Sequence, residues 1–212
     1  MNKCKISNDV EEDSPRGLLF IISAPAGTGK TTLVDRLCRE MSNVCRNVSC
    51  TTRAPREGET PGIDYRFLSP QEFAQLEQNG AFLECAQVFG SLYGTLQEDV
   101  ESLLARGKHV ILVIDTQGAL QLRMLVEAIT IFLKPPSMDA LRERLQRRGT
   151  ESPESVEIRL TWAQHELELA RQYDYVVCND QIETAYDVLR SIVVAEEHRN
   201  RHQSKEEPHG AR

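Results

Sequence analysis

The apolar run Leu18–Ala24 passes straight into Ala24-Pro25-Ala26-Gly27-Thr28-Gly29-Lys30-Thr31, and an amphipathic helical pattern follows to about Met41. This junction limits the chain more than any other segment does. Glycines let successive backbone N–H groups turn toward one point, and a helix N-terminus adds partial positive charge, so such a turn is suited to a phosphate. An apolar strand of this kind belongs in a parallel sheet buried on both faces. The rest of the chain keeps the same alternation. Strands are expected at Leu18–Ala24, Val44–Cys50, His109–Asp115, Ile129–Lys134 and Tyr175–Cys178. Helices are expected near Lys30–Met41, Leu96–Arg106, Gln117–Val126, Met138–Arg148 and Gln181–Arg199. The expected class is α/β, a mainly parallel sheet with helices on both faces.

The turn follows the P-loop pattern G-x-x-x-x-G-K-[ST] except at its first position, where Ala24 replaces glycine. Residues Ala24, Pro25, Ala26, Gly27, Thr28, Gly29, Lys30 and Thr31 are therefore the candidate nucleotide-phosphate site. Lys30 would reach the β- and γ-phosphates, and the Thr31 hydroxyl would meet Mg²⁺. A P-loop implies a nucleotide but no particular reaction, since switches, motors, transporters and kinases share it.

Composition narrows the partners. The chain has 212 residues, 40% of them hydrophobic, and a formal net charge of −7. That length suits one elaborated domain. The acidic balance argues against nucleic acid and against an anionic membrane surface as partners. No apolar run approaches the roughly 20 residues of a membrane helix, and the N-terminal stretch lacks the basic start of a signal peptide. A cytoplasmic protein is expected. Six scattered cysteines without C-x-x-C spacing read as reduced thiols. Residues 1–16 and 197–212 read as charged tails.

The segment from Thr51 to Gln97 breaks the alternation and reads as an insert. It holds short strands at Tyr65–Leu68 and Ala81–Phe89, and a helix opening on Ser69-Pro70-Gln71-Glu72. Those four residues make a capping box with proline at the first helical position. At the mouth of the insert, Arg53 and Arg56 flank Pro55. Arginine grips phosphate with two parallel hydrogen bonds, and this pair lies where α/β sheets bind ligands.

The run from Val48 to Tyr65 matches V-S-x-T-T-R-x-P-R-x-G-E-x-x-G-x-D/H-Y without a gap. Phe82–Ala86 matches F-x-E-x-A, and Tyr93-Gly94-Thr95 matches Y-G-T/S. With Arg148-Gly149, Arg159-Leu160 and Asn179-Asp180, the chain resembles the guanylate kinases over about residues 17–196. The resemblance implies a P-loop NTPase-type fold. Its core would be residues 17–48, 98–140 and 160–196, its GMP-binding insert 49–97 and its helical lid 141–159. The implied reaction moves the γ-phosphoryl group of ATP to GMP with Mg²⁺, dGMP being left open beside GMP.

Roles carry over by position. Arg53, Arg56, Tyr65 and Tyr93 would hold the GMP phosphate, and Ser49, Glu84 and Thr95 would read guanine. Guanine presents two adjacent donors, and a carboxylate accepts both, whereas adenine would leave that carboxylate unpaired. Lys30, Arg144, Arg148 and Arg159 would be catalytic, with Asn179 near the adenine. Arg142 and Arg147 read as a solvated helix face. Closing of insert and lid over the nucleotides is expected, with exclusion of water.

The family ends its central strand with Asp-x-Asp-x-Gln-Gly, where this chain has Val113-Ile114-Asp115-Thr116-Gln117-Gly118. Val113 removes the first acid, and Asp115 falls at the GMP end. A guanylate-kinase-like module that binds phosphorylated partners without catalysis is the alternative from another class. Gly27, Gly29, Lys30 and Thr31 weigh against it.

Overall fold

A computed structural model describes residues 16–88, 90–147 and 152–200. In chain order these form β1 (Leu19–Ser23), α1 (Lys30–Glu40), β2 (Val44–Arg46), β3 (Cys50–Thr51), β4 (Arg66–Phe67) and α2 (Pro70–Gln78). There follow β5 (Phe82–Val88), β6 (Ser91–Leu96), α3 (Gln97–Ala105), β7 (His109–Val113) and α4 (Thr116–Arg123). The last elements are β8 (Ile129–Lys134), α5 (Met138–Arg147), α6 (Pro153–Leu169), β9 (Tyr175–Cys178) and α7 (Ile182–Glu197). The expected readings at 1–15 and 201–212, and those on Arg148 and Gly149, lie outside the described residues.

The described chain divides into two compact units. The first takes the chain up to Ser23 together with Cys38–Thr130, and the second takes Ala24–Leu37 together with the chain from Ile131 onward.

In the first unit β7 runs between β1 and β2, parallel to both, with Ile22 opposite Val113 and Val44 opposite His109. All five residues of β1 are buried, as strands covered on both faces must be. The same unit holds a second sheet in the order β4-β3-β6-β5, antiparallel from β3 through β6 to β5. The expected strand Val44–Cys50 is two strands. The Asn47 N–H donates to the Ile111 carbonyl at 3.0 Å, and the chain then leaves β7 to enter the second sheet at Cys50.

Position 94 has no room for a side chain. A Cβ there would stand 2.8 Å from the Phe82 ring, which stacks on Phe73 at 4.5 Å. The capping box at α2 forms, Ser69 Oγ accepting from the Glu72 N–H at 3.2 Å while Glu72 Oε2 accepts from the Ser69 N–H at 2.7 Å.

In the second unit β8 and β9 pair in parallel, Ile131 opposite Tyr175 and Leu133 opposite Val177. Helices α5 and α6 close on each other through Leu141, Leu145, Val156, Leu160 and Ala163, with Ala26 packed against them. These apolar residues recur at spacings of three and four, the stripe an amphipathic helix turns inward. Ser152 caps α6 by accepting from the Ser155 N–H at 3.3 Å, with Pro153 next. Among the described residues no helix is long and apolar enough to cross a membrane.

Candidate functional site

The glycine-rich turn leaves β1 and opens α1. Its left-handed positions are Gly27 (φ 88°) and Gly29 (φ 92°), where a side chain would be strained. Space confirms the requirement. A Cβ on Gly27 would meet Leu145 Cδ2 at 2.9 Å, and one on Gly29 would meet Asn179 Nδ2 at 2.7 Å. Asn179 is buried and donates from Nδ2 to the Thr28 carbonyl at 2.6 Å, while its own N–H donates to the Lys134 carbonyl at 2.8 Å. The end of β9 thus holds the loop by a side-chain amide. Lys30 Nζ donates to the Ala24 carbonyl at 3.2 Å, folded back across the turn. Thr31 is exposed in the first turn of α1.

Gly27, Thr28, Gly29, Arg144, Arg147, Asn179, Asp180 and Ile182 line a cavity of about 320 Å³. Arg144 reaches the Asp180 carbonyl at 3.4 Å. Arg159 lies half-buried on α6, outside that lining. Arg147 lines the cavity, where the sequence suggests only a solvated face. Arg142, by contrast, pairs with Glu157 of α6.

The first unit gathers the insert residues on one face of its second sheet. Glu84 on β5 lies opposite Thr95 on β6, and Ala86 lies opposite Tyr93. Directly opposed residues of an antiparallel pair share a face, as do residues two apart on one strand. Glu84, Thr95 and Tyr93 therefore face the same way, with about 7 Å along β6 between the last two. A register shift between Phe82 and Glu84 re-aims β5 at this point.

At one end of this face, Thr95 is fully buried and its hydroxyl donates to Glu84 Oε1 at 2.6 Å. Burial pushes the Glu84 carboxyl up to about 7, the Thr95 hydrogen bond opposing and the nearby Asp115 charge adding to it. Asp115 caps α4, its Oδ1 accepting from the N–H groups of Gln117 at 2.7 Å and Gly118 at 3.0 Å. Ser49 is half-buried, just before β3.

At the other end stands Arg53. Its Nη2 donates to both oxygens of Glu59 at 2.8 and 3.0 Å, its Nη1 to the Ala54 carbonyl at 2.6 Å and its Nε to the Tyr93 hydroxyl at 3.2 Å. Tyr65 packs edge-on against Tyr93 with ring centroids 5.9 Å apart, and the Arg53 guanidinium lies 5.4 Å from the Tyr65 ring. Arg56 is exposed, and its backbone N–H donates to Glu59 Oε2 at 2.8 Å. Burial works against a charged Glu59, yet the hydrogen bonds from Arg53 and the Arg56 backbone hold its carboxyl below the ordinary value. This carboxylate occupies the Arg53 fork that the family resemblance assigns to the GMP phosphate. Sequence reasoning passes over Glu59, although its place three residues after Arg56 is visible in the run.

The sequence model of a family described as guanylate kinase matches residues 16–196. The chain belongs to the guanylate kinase family. A guanylate kinase of Protochlamydia amoebophila is 54% identical over 184 residues, which cover 87% of this chain and 93% of the relative. One of Chlamydia pneumoniae is 46% identical over 203 residues, covering 94% of this chain and 99% of the relative. The crystal structure of guanylate kinase from Anaplasma phagocytophilum superposes with a TM-score of 0.74 at 34% identity, covering 88% of this chain and 89% of that one. The mixed α/β architecture with mainly parallel strands is that of this family.

Proposed function

We propose that this chain transfers the γ-phosphoryl group of ATP to GMP, giving ADP and GDP. Membership of the guanylate kinase family supports the reaction. The observation that carries the choice of acceptor is the half-buried Glu84 carboxylate, tied to Thr95 on the same sheet face as Tyr93. Glu84 would accept from guanine N1–H and the 2-amino group, with Thr95 and Ser49 beside it and Asp115 at the same end. Arg53, Arg56, Tyr65 and Tyr93 would take the phosphate. Residues 49–97 are then the GMP-binding insert and 141–159 the lid.

The nucleophile is an oxygen of the GMP phosphate, anionic at neutral pH, so no general base is needed. It forms a bond to the γ-phosphorus of ATP as the bond to the β,γ-bridging oxygen breaks. Catalysis then comes from alignment and from neutralising charge on the group in transit. Residues 24–31 would cradle the ATP phosphates. Lys30 would leave the Ala24 carbonyl for the β- and γ-oxygens. Arg144, Arg148 and Arg159 would add positive charge, and the cavity beside Asn179 and Ile182 would take the adenine.

Mg²⁺ would be held on the protein side by the Thr31 hydroxyl and would offset the negative charge of the nucleotide phosphates. One exposed hydroxyl, Thr31, fits an ion that arrives on the nucleotide with most of its waters. Among the described residues no group of three or more His, Cys, Asp or Glu side chains could hold a metal by itself.

A coupled ADP-release assay with ATP, Mg²⁺ and, in turn, GMP, AMP, UMP and dTMP tests the proposal. Turnover with GMP alone is expected. Binding of GMP by calorimetry without turnover would overturn it.

A further inference from the structure

Gly118 sits in the first turn of α4, buried, at a place where helical backbone makes no demand for glycine. Its φ is not in the left-handed region, unlike those of Gly27 and Gly29. Glycine is the least favourable ordinary residue in a helix, so local structure alone would select alanine here. Space supplies the reason. A Cβ on Gly118 would stand 2.9 Å from Glu84 Oε2, with Glu84 Cδ and Asp115 Oδ2 at 3.8 Å. Real Cβ atoms do not come that close to an oxygen. The obstructed atom is the free end of a flexible side chain, so an added methyl would displace the carboxylate and leave the helix in place.

Glu84 Oε1 is held by Thr95, so Oε2 is the oxygen that would have to turn away. Two coplanar acceptors are what guanine's adjacent donors require, and a rotated carboxylate offers one.

We propose that Gly118 is a specificity-determining position, whose missing side chain leaves the Glu84 carboxylate in the orientation that reads guanine. This rests on Glu84 as the guanine reader. Gly118 acts through Glu84 and is a positioning residue. Its N–H donates to Asp115 Oδ1, a bond that alanine would keep.

The test compares wild type, Gly118→Ala, Glu84→Gln and the double variant. For each, kcat and KM are measured with GMP and with IMP, which lacks the 2-amino group, alongside the KM for ATP and the Tm. Gly118→Ala is expected to raise the KM for GMP on the order of ten- to a hundredfold, the value of hydrogen bonds to a charged acceptor. Its preference for GMP over IMP should fall, while the KM for ATP holds and the Tm stays level or rises. In the Glu84→Gln background the same substitution should add nothing. A Gly118→Ala enzyme with wild-type selectivity, beside a Glu84→Gln enzyme that has lost it, overturns the inference and leaves the guanine reading standing. An equal loss in both backgrounds also overturns it, since the effect would not pass through Glu84. Full selectivity in Glu84→Gln itself refutes the guanine reading beneath it.

Discussion

Lowering the pH from about 8 to about 6 should weaken GMP binding roughly tenfold through Glu84 alone. Burial pushes this carboxyl up to about 7, from an ordinary 4.5. Near pH 8 about nine in ten molecules carry the carboxylate that guanine's donors need, and near pH 6 about one in ten. A ligand that binds the ionised form alone loses affinity in proportion. The KM for GMP should therefore climb with each pH step below 7, while kcat at saturating GMP changes less. The GMP phosphate also titrates in this range, so Glu84→Gln is the control: its KM is higher throughout but follows only the phosphate.

Stability moves the other way. The folded value of Glu84 is raised, so its contribution to stability is complete below about 4.5 and fades as pH rises through about 7. The difference corresponds to roughly 3 kcal/mol at the alkaline end. Glu84→Gln, which cannot ionise, should gain in Tm over wild type at pH 8 and lose that advantage toward pH 5. Denaturation of both proteins across the range measures it. Parallel pH profiles for the two proteins, in KM and in Tm, would refute the reasoning.

Three further substitutions probe other contacts. Asn179→Ala leaves the Thr28 carbonyl without its donor, which should cost about 1–3 kcal/mol in denaturant unfolding. It should also raise the KM for ATP while leaving that for GMP in place. Gly94→Ala forces a methyl to within 2.8 Å of the Phe82 ring and should destabilise by about 1–3 kcal/mol, read as a lowered midpoint in urea. Val113→Asp restores the acid the family carries at the end of β7 and should lower the Mg²⁺ concentration for half-maximal rate; an unchanged Mg²⁺ titration would show that Val113 does not limit metal handling.

What the sequence reveals depends on how far apart the interacting groups lie. The phosphate turn is legible because strand, glycines, lysine and helix follow one another without interruption. The cap of α2 is legible for the same reason, its three signals, Ser69, Pro70 and Glu72, falling within four residues. The facing of Glu84 and Thr95 is different. It needs a hairpin in which β6 is a strand, and Gly94 in the middle of Ser91–Leu96 weakens that reading. The glycine is there because two stacked phenyl rings occupy the space, a fact of tertiary packing. The break at Asn47 is equally hidden, since nothing in the apolar pattern says that the chain changes sheets. Arg147 looks solvated on helical periodicity, which marks Leu141 and Leu145 as inward. It acquires a cavity only when Asn179, Asp180 and Ile182 arrive from more than thirty residues away. Gly118 is visible as part of a motif, but its bearing on Glu84 is not: that effect is a vacancy beside a residue from another element.

If the GMP phosphate binds at Arg53 as proposed, the Glu59 carboxylate already in that fork would make its capture an exchange. An incoming phosphate would meet an arginine already paired and largely shielded from water, and would have to displace the Glu59 carboxylate to take its place. The net gain is the difference between two anions on one cation, so a weak or singly charged anion has little to win there. The displaced carboxylate would also lose its hydrogen bond from the Arg56 N–H, which ties the loop around it. Occupancy of the fork and the shape of the loop from Arg53 to Glu59 would thereby be coupled.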